Sequence, residues 1–217
     1  MTNKSNPGND GERGVNHTPT CEGAHGRTAR HLRITNPSPW VRRFLPLVPK
    51  GGRVLDLAAG GGRHARLALD MGYAATLIDR NIEALDDLGE AAEVIEVDLE
   101  DGGSIFGPSG ALSGRTFDGI IVSNYLFRPL LGAIVAAVAP GGVLIYETFA
   151  MGNEAYNRPR NPDHLLKPGE LLDAVAGALQ VFAYEHGLIE KEAAISGVIS
   201  RIAAVNAETP ASVYSKN

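Results

Sequence analysis

Cysteine is almost missing from this sequence. Cys21 stands alone among 217 residues, which excludes a disulfide framework and a cysteine-held zinc cluster. A reducing, cytoplasmic setting is the expectation that follows. Long uninterrupted apolar runs are missing too. The longest stretch, "LGAIVAAVAPGGVLIYETFA", is cut by Pro140-Gly141-Gly142, so neither half can span a bilayer. The opening "MTNKSNPGND" has no apolar core of the kind a signal peptide needs. Aromatic residues make up 6%, and none interleaves with the arginines that precede Trp40, which weakens the case for a nucleic-acid stacking platform.

What is present is globular in character, with 44% hydrophobic and 21% charged residues. The length suits one α/β domain. Charge is unevenly placed. Residues 1–50 carry eight Lys/Arg against three Asp/Glu, and the remainder twelve against twenty-two. The basic part holds Arg27, Arg30, Arg33, Arg42 and Arg43. A solvated tail plus the outer face of a short helix accounts for it; an arm that touches RNA, a protein substrate or another polyanion is the alternative. Residues 1–28 are rich in Gly, Asn, Thr and Pro without periodicity and read as a disordered tail. Residues 29–217 read as the single domain.

From residue 38 the pattern becomes regular. Ser38-Pro39 reads as an N-cap followed by proline at the first helical position, opening a short helix "PWVRRFLPLV". "RVLDLAA" is an apolar run too short for a helix and predicts a buried strand. "GRHARLALDMG" predicts a helix closed by Gly72, "YAATLID" a second strand, "NIEALDDLGEAA" a second helix and "EVIEVDL" a third strand. "FDGIIVSNYL" predicts a fourth strand, "LLGAIVAAVAPGG" a helix stopped by Pro140, and "GVLIYETFA" a fifth strand. Alternation of this kind predicts a doubly wound, mostly parallel sheet of the Rossmann-like class. After the helix "PGELLDAVAGA" the rhythm changes. "LQVFAYEHGL" and "SGVISRIAAVNA" read as strands with a link too short for a parallel crossover, so they form an antiparallel C-terminal hairpin.

Gly60, Gly61 and Gly62 lie between a strand and a helix. Glycine permits a sharp turn and a close approach of a ligand to the backbone, and the helix N-terminus favours a polar or anionic group. Two ligands compete. Gly60-x-Gly62-x-x-Ala65, with Asp79 nineteen residues beyond Gly60, satisfies a dinucleotide fingerprint. Three acids argue for another ligand. Asp56 lies inside the first strand, Asp79 ends the second and Asp98 the third. Strand ends along one edge of a parallel sheet line one crevice. The three carboxylates suit a ligand with an amine end, a diol and an exocyclic amine, and they would repel a pyrophosphate. Asp56 can anchor the loop itself or a ligand ammonium through a water.

These segments together resemble the class I S-adenosylmethionine-dependent methyltransferases, and more loosely the small bacterial tellurite-resistance-type enzymes. "VLDLAAGGGRHARLA" is similar to their first signature, Asp-x-Gly-x-Gly-x-Gly, with Ala58 in place of the first glycine. "LIDRN", "IEVDLED", "FDGIIVSNYLFRPLL" and "VAPGGVLIYETF" resemble the segments that follow in that family, over about residues 38–206. The resemblance implies a seven-stranded sheet and S-adenosyl-L-methionine as cofactor. It implies Asp79, with Arg80 beside it, on the ribose hydroxyls, and Asp98 on the adenine amine, with Leu99 next to the ring. It places Gly60 and Gly62 along the methionine part, counts Asp56 and Ala58 among the cofactor-binding residues, and sets Ser123 and Asn124 facing the sulfonium.

The acceptor side is less determined. "SNYLFRP" offers Asn124, Tyr125 and Arg128, and no prolines follow Asn124 to make the Asn-Pro-Pro-Tyr box of nucleobase amine methyltransferases. Residues 151–170 lack periodicity and read as a lid, with Asn153, Glu154, Tyr156, Arg158, Arg160 and His164 available. Asn124, Tyr125, Arg128, Tyr156 and Arg158 are the catalytic candidates, and no metal site is expected. Tyr146 and Glu147 alternate in the fifth strand, so one of them faces the crevice. A methyltransferase acting on a small molecule is the reading that follows. An oxidoreductase using NAD(P) and a non-catalytic S-adenosylmethionine-binding protein are the alternatives. Deleting residues 1–28 is expected to leave the melting temperature within a few degrees of the full chain, because nothing in that stretch is patterned to pack; differential scanning calorimetry checks this.

Overall fold

The computed structural model describes residues 34–102, 104–191 and 194–207. The tail expected at 1–28, with Arg27, Arg30 and Arg33 at and beyond its end, lies outside the described residues. The strands are β1 (Arg53–Leu57), β2 (Ala74–Asp79), β3 (Glu93–Glu96), β4 (Phe117–Ser123), β5 (Val138–Phe149), β6 (Gln180–Lys191) and β7 (Ala194–Val205). They form one seven-stranded sheet in the order β3-β2-β1-β4-β5-β7-β6. The first five pair in parallel, and β7 runs antiparallel to both β5 and β6. The apolar runs explain the parallel part. Val54, Leu55, Asp56 and Leu57 of β1 are all buried, as befits a strand covered on both faces.

Among the described residues, four α-helices accompany the sheet: α1 (Pro39–Phe44), α2 (Arg63–Asp70), α3 (Leu131–Ala136) and α4 (Glu170–Val175). Ser38 caps α1 as its sequence predicts, its Oγ accepting from Trp40 N–H at 3.0 Å. Trp40 is 2% exposed and packs with Val41, Phe44, Ile121, Ile145 and Ala203 on one face of the sheet. Its indole N–H donates to the Ile202 carbonyl at 3.2 Å, which satisfies the one polar atom this burial would strand. The opposite face packs Ile134 and Val135 of α3 and Leu171 and Val175 of α4 against Leu55, Ile120, Leu144 and Tyr146. No helix among the described residues is long and apolar enough to cross a membrane.

Two elements depart from the sequence pattern. "NIEALDDLGEAA" is not an α-helix but 3-10 turns over Glu83–Ala91, broken at Gly89 with φ 49° and ψ −126°. Side chains compete with the helix here. Asn81 Oδ1 accepts from Glu83 N–H at 3.1 Å, and Arg66 of α2 takes the Ala84 carbonyl at 3.2 Å and both Asp87 oxygens. The helix before Pro140 also stops early, at Ala136, and β5 already begins at Val138. Proline disfavours helical backbone in the residue before it, so Ala139 is extended and the chain leaves the helix ahead of it. Asn206 holds this detour, with its Nδ2 on the Val138 carbonyl at 2.8 Å and its N–H on the Gly142 carbonyl at 2.9 Å.

The start of α2 joins three distant segments. Gly62 at the N-cap offers no side chain, and Asp56 of β1 supplies the cap instead, its Oδ2 accepting from Ala65 N–H at 3.0 Å. His64, 2% exposed, accepts the Ser38 N–H on Nε2 at 3.1 Å, and its Nδ1 lies 4.0 Å from Asp56 Oδ1. Because Nε2 accepts, the proton of the neutral ring sits on Nδ1, facing Asp56. Burial pushes Asp56 up from 3.8 to about 7, opposed by the Ala65 hydrogen bond and Arg63. Burial also pushes His64 down from 6.5 to about 3, and Arg63 adds to that. Near pH 5 the folded pair therefore holds one proton, on Asp56, and the unfolded pair also holds one, on His64. The pair gives stability no slope between about pH 4 and 6.5, because proton counts match. Without His64 the native chain alone holds that proton, so the stabilisation fades as pH rises from about 4 to about 7. His64→Gln keeps an acceptor for Ser38 N–H. Its melting temperature is expected to fall progressively below wild type between pH 5 and 7, by the equivalent of at least about 1 kcal/mol; parallel profiles would locate the proton elsewhere.

Candidate functional site

The crevice lies at the C-terminal ends of β1, β2, β3, β4 and β5. Its rim is built from left-handed backbone. Ala58, Gly60, Gly62 and Asn124 have φ of 56°, 55°, 70° and 56°. Two of these are not glycine, and a left-handed L-residue costs about 1–2 kcal/mol. Ala58 thus occupies a position whose geometry asks for the glycine that usually stands there. The two glycines serve different ends. A Cβ on Gly60 would meet nothing within 4 Å, whereas one on Gly62 would lie 2.7 Å from Leu85 Cδ2 and 3.2 Å from Leu77 Cδ2. Gly60 borders open space; Gly62 lets the Leu85 turn pack against the loop.

Asp79 ties this loop to β2. Its Oδ2 accepts from Gly60 N–H at 2.8 Å and its Oδ1 from Asn81 N–H at 3.0 Å. An ionised carboxylate has about four acceptor sites, so two remain after these bonds. Arg80 and Asp98 are exposed. Asp98 Oδ1 accepts from Glu100 N–H at 2.9 Å. Leu99 is 5% exposed and belongs to the main core, so its side chain anchors the β3 end. Asp56 is 1% exposed. Of the two roles its sequence position leaves open, the hydrogen bond to Ala65 is the loop-anchoring one.

Arg63 has no part in the sequence reading, yet it spans the crevice. Its guanidinium donates to the Asn36 carbonyl at 3.0 Å and to Ser123 Oγ at 3.1 Å. Burial lowers its pKa, and the charges of Glu147 and Asp56 oppose that. A signal was present, because a cation in the first turn of a helix opposes the helix dipole and needs a separate reason. Ser123 Oγ lies 3.3 Å from Glu147 Oε1, and the Asn124 N–H donates to the Glu147 carbonyl at 2.9 Å. Of the alternating pair in β5, Glu147 is therefore the one at the crevice. Tyr146 is 1% exposed, with its hydroxyl on the Tyr125 carbonyl at 2.9 Å.

The catalytic candidates separate. The Tyr125 hydroxyl is enclosed. Burial raises its pKa most, followed by the charge of Glu100, a hydrogen-bonding contact with Glu100 and the charge of Asp98, with Arg80 opposing. That puts it at the β3 edge of the crevice and works against a phenolate base. Arg128 is consumed by the segment after β5. It donates to the Asp163 and Leu165 carbonyls, each at 2.7 Å, and grips Glu170 at 2.7 and 3.0 Å. Asn153 is fully buried and pins the same segment. Its Nδ2 donates to the Pro159 carbonyl at 3.0 Å, and its Oδ1 accepts from Val198 N–H at 3.2 Å. Residues 151–170, expected as an irregular lid, carry two short 3-10 turns, Asn153–Ala155 and Pro162–His164, and the segment is held down by Arg128 and Asn153. Tyr156 is 52% exposed, and Arg158, Arg160 and His164 are exposed; among the described residues none of their side chains bonds to the crevice groups.

The fold is that of the class I S-adenosylmethionine-dependent methyltransferases. TehB from Haemophilus influenzae matches with a TM-score of 0.61 at 17% identity, over 76% of this chain; the chain spans 61% of that protein's length. The 1,6-didemethyltoxoflavin-N1-methyltransferase of Burkholderia thailandensis, solved with 1,6-didemethyltoxoflavin and S-adenosylhomocysteine, matches at 0.59 and 16%, covering 85% of this chain and 83% of its own. A TehB-like S-adenosylmethionine-dependent methyltransferase from Corynebacterium glutamicum matches at 0.54 and 16%, covering 84% and 96%. No family model matches the chain, and no curated protein does.

Asp79→Ala frees the N–H groups of Gly60 and Asn81 and is expected to lower stability by about 1–3 kcal/mol. Asp79→Asn recovers only part of this, because its NH2 must face one of those two donors. Thermal melts of both variants check the assignment; an asparagine variant as stable as wild type would show that one oxygen suffices.

Proposed function

We propose that this chain is an S-adenosylmethionine-dependent methyltransferase acting on a small molecule. The observation that carries the reading is the rim of the crevice. Carboxylates stand just beyond or at the ends of β2 and β3, with the buried Asp56 of β1 beneath the loop, and the one at β2 is bonded to the glycine loop while keeping acceptor capacity. Asp79 would take the two ribose hydroxyls, with Arg80 at its side. Asp98 would accept from the adenine amine, and the Tyr125 hydroxyl lies on that edge. Gly60, bordered by open space, would let the methionine part pass close to the backbone, while Asp56, Ala58 and Gly62 shape the loop beneath it. Ser123 and Asn124 would face the sulfonium. When bound, the cofactor supplies a methyl group already activated for in-line displacement.

The protein's share is then position and exclusion of water. Arg63 fixes Ser123 and draws the 34–38 segment over the crevice through Asn36. Arg128 and Asn153 hold the segment after β5 against the opposite wall, and Tyr156 and Arg158 remain on its exposed side as acceptor contacts. A neighbour of the same fold, a 1,6-didemethyltoxoflavin-N1-methyltransferase, supports a small acceptor. RNA or protein acceptors would engage the basic residues before Arg33. A reducing, cytoplasmic setting suits the lone Cys21.

Titration calorimetry is expected to show binding of S-adenosylhomocysteine and no comparable binding of NADH or NADPH. Asp79→Ala is expected to weaken the first by at least about tenfold, since hydrogen bonds to a charged group contribute about 1.5–3 kcal/mol each and about 1.4 kcal/mol is tenfold. Tight nicotinamide binding with no response to S-adenosylhomocysteine would overturn the proposal.

A further inference from the structure

A row of polar side chains crosses the sheet at its crevice edge. Ser123 of β4 pairs in register with Glu147 of β5, Glu147 with Arg201 of β7, and Arg201 with Glu185 of β6. The two nearby cations make their hydrogen bonds to other groups, and the charge of Arg63 reaches Glu147 without a hydrogen bond. Arg201 donates through Nε to Glu185 at 2.8 Å and through Nη2 to the same oxygen, and its guanidinium lies 4.5 Å over the Trp40 ring. Arg63 bonds to Asn36 and Ser123. Glu147 is left with one long hydrogen bond, the 3.3 Å contact to Ser123 Oγ. Its carboxylate is half-buried, and a partly desolvated charge with most of its acceptor sites unused is costly unless a ligand supplies donors.

Strand order says which ligand. The cofactor groups proposed above lie over β3, β2 and β1 and reach β4 at Ser123. β5 stands beyond β4, on the side away from β2. We infer that Glu147 is the acceptor-binding residue and that the acceptor nucleophile is an amine nitrogen bearing at least one N–H. This rests on the methyltransferase reading. A carboxylate is too weak a base to ionise an alcohol before attack, and it repels carboxylate, phosphate or phenolate acceptors. An aromatic, weakly basic amine arrives uncharged and needs no ionisation. Its N–H donates to Glu147 while its lone pair stays free. The lone pair forms the N–CH3 bond as the S–CH3 bond breaks, its electron pair remaining on sulfur as a neutral thioether. The positive charge passes to nitrogen, beside the Glu147 carboxylate. The N–H proton, now acidic, passes to Glu147 and on to water.

The test uses the full chain, labelled S-adenosylmethionine, and a panel of matched aromatic compounds carrying an amine, a phenol, a thiol or a carboxylate. Transfer is expected to amines alone. Glu147→Gln is expected to lower kcat/KM for the best amine at least tenfold, to weaken calorimetric binding of that amine to the S-adenosylhomocysteine complex, and to leave S-adenosylhomocysteine affinity within threefold of wild type. Transfer to oxygen or sulfur, no transfer to any amine, or an unchanged Gln variant would overturn the inference. An equal loss of S-adenosylhomocysteine affinity would overturn it by placing Glu147 on the cofactor. Failure of wild type to bind S-adenosylhomocysteine would instead sink the underlying reading.

Discussion

The buried carboxyl of Asp56 on the N–H of Ala65 is the contact on which the crevice depends. α2 begins at Gly62 without a side-chain cap, and the helix must start at the end of β1 for the glycine loop to turn where it does. A group from the strand itself fixes that start. Because Asp56 is 1% exposed, it cannot exchange this donor for water, and loss of the bond would leave both partners unsatisfied. The neighbouring residues extend the same junction outward. His64 takes the Ser38 N–H and Arg63 the Asn36 carbonyl. The cap of one helix thereby positions the entry to another, and the segment before α1 is brought to the crevice.

Strain gathers at the same place. Ala58 and Asn124 are the non-glycine residues with positive φ among the described residues, and they follow β1 and β4, the adjacent central strands. Both ends are over-determined. The loop after β1 is held by Ala59 N–H on the Ile78 carbonyl at 2.9 Å and by Gly60 on Asp79; the turn after β4 is held by Asn124 N–H on the Glu147 carbonyl at 2.9 Å. Backbone in sparsely populated regions persists where surrounding bonds leave it no alternative, and such sites cluster where ligands bind.

Much of this was legible in the sequence, for identifiable reasons. The strands read correctly because both faces are buried and the apolar runs are short. Ser38-Pro39 read correctly because capping is a local interaction. The order Asp56, Gly60, Asp79, Asp98 placed these residues along one side of the sheet because parallel strand ends share one edge. What failed was decided by contacts remote in sequence. Residues 83–91 carry a helical pattern, but Arg66 reaches across from α2 to take Asp87 and the Ala84 carbonyl. Arg128 has the look of a reactive cation beside the fourth strand, yet carbonyls 35 and 37 residues away claim it. Tyr125 follows Asn124 in sequence but is turned towards Glu100 and Asp98, because its carbonyl is held by Tyr146. Arg63 could have been suspected from the unfavourable placement of a cation at a helix start, but nothing local pairs it with Asn36 or pairs His64 with Ser38.

The electrostatics of the crevice follow from where the cations go. Arg66 pairs with Asp87, Arg115 with Glu93, Arg128 with Glu170 and Arg201 with Glu185. Each pair lies between elements of the scaffold, and most are partly exposed, so each contributes little energy but fixes a direction for a long side chain. The consequence at the crevice is a deficit. Asp79, Asp98, Glu100 and Glu147 stand along its rim, while Arg63, the cation that spans it, is bonded to a backbone carbonyl and a hydroxyl. Asp79 and Glu147 are half-buried, so their charges are screened less than those of the exposed Asp98 and Glu100. The combined field disfavours phosphates and carboxylates along this rim. It favours ligands that bring hydroxyl or N–H donors and positive charge.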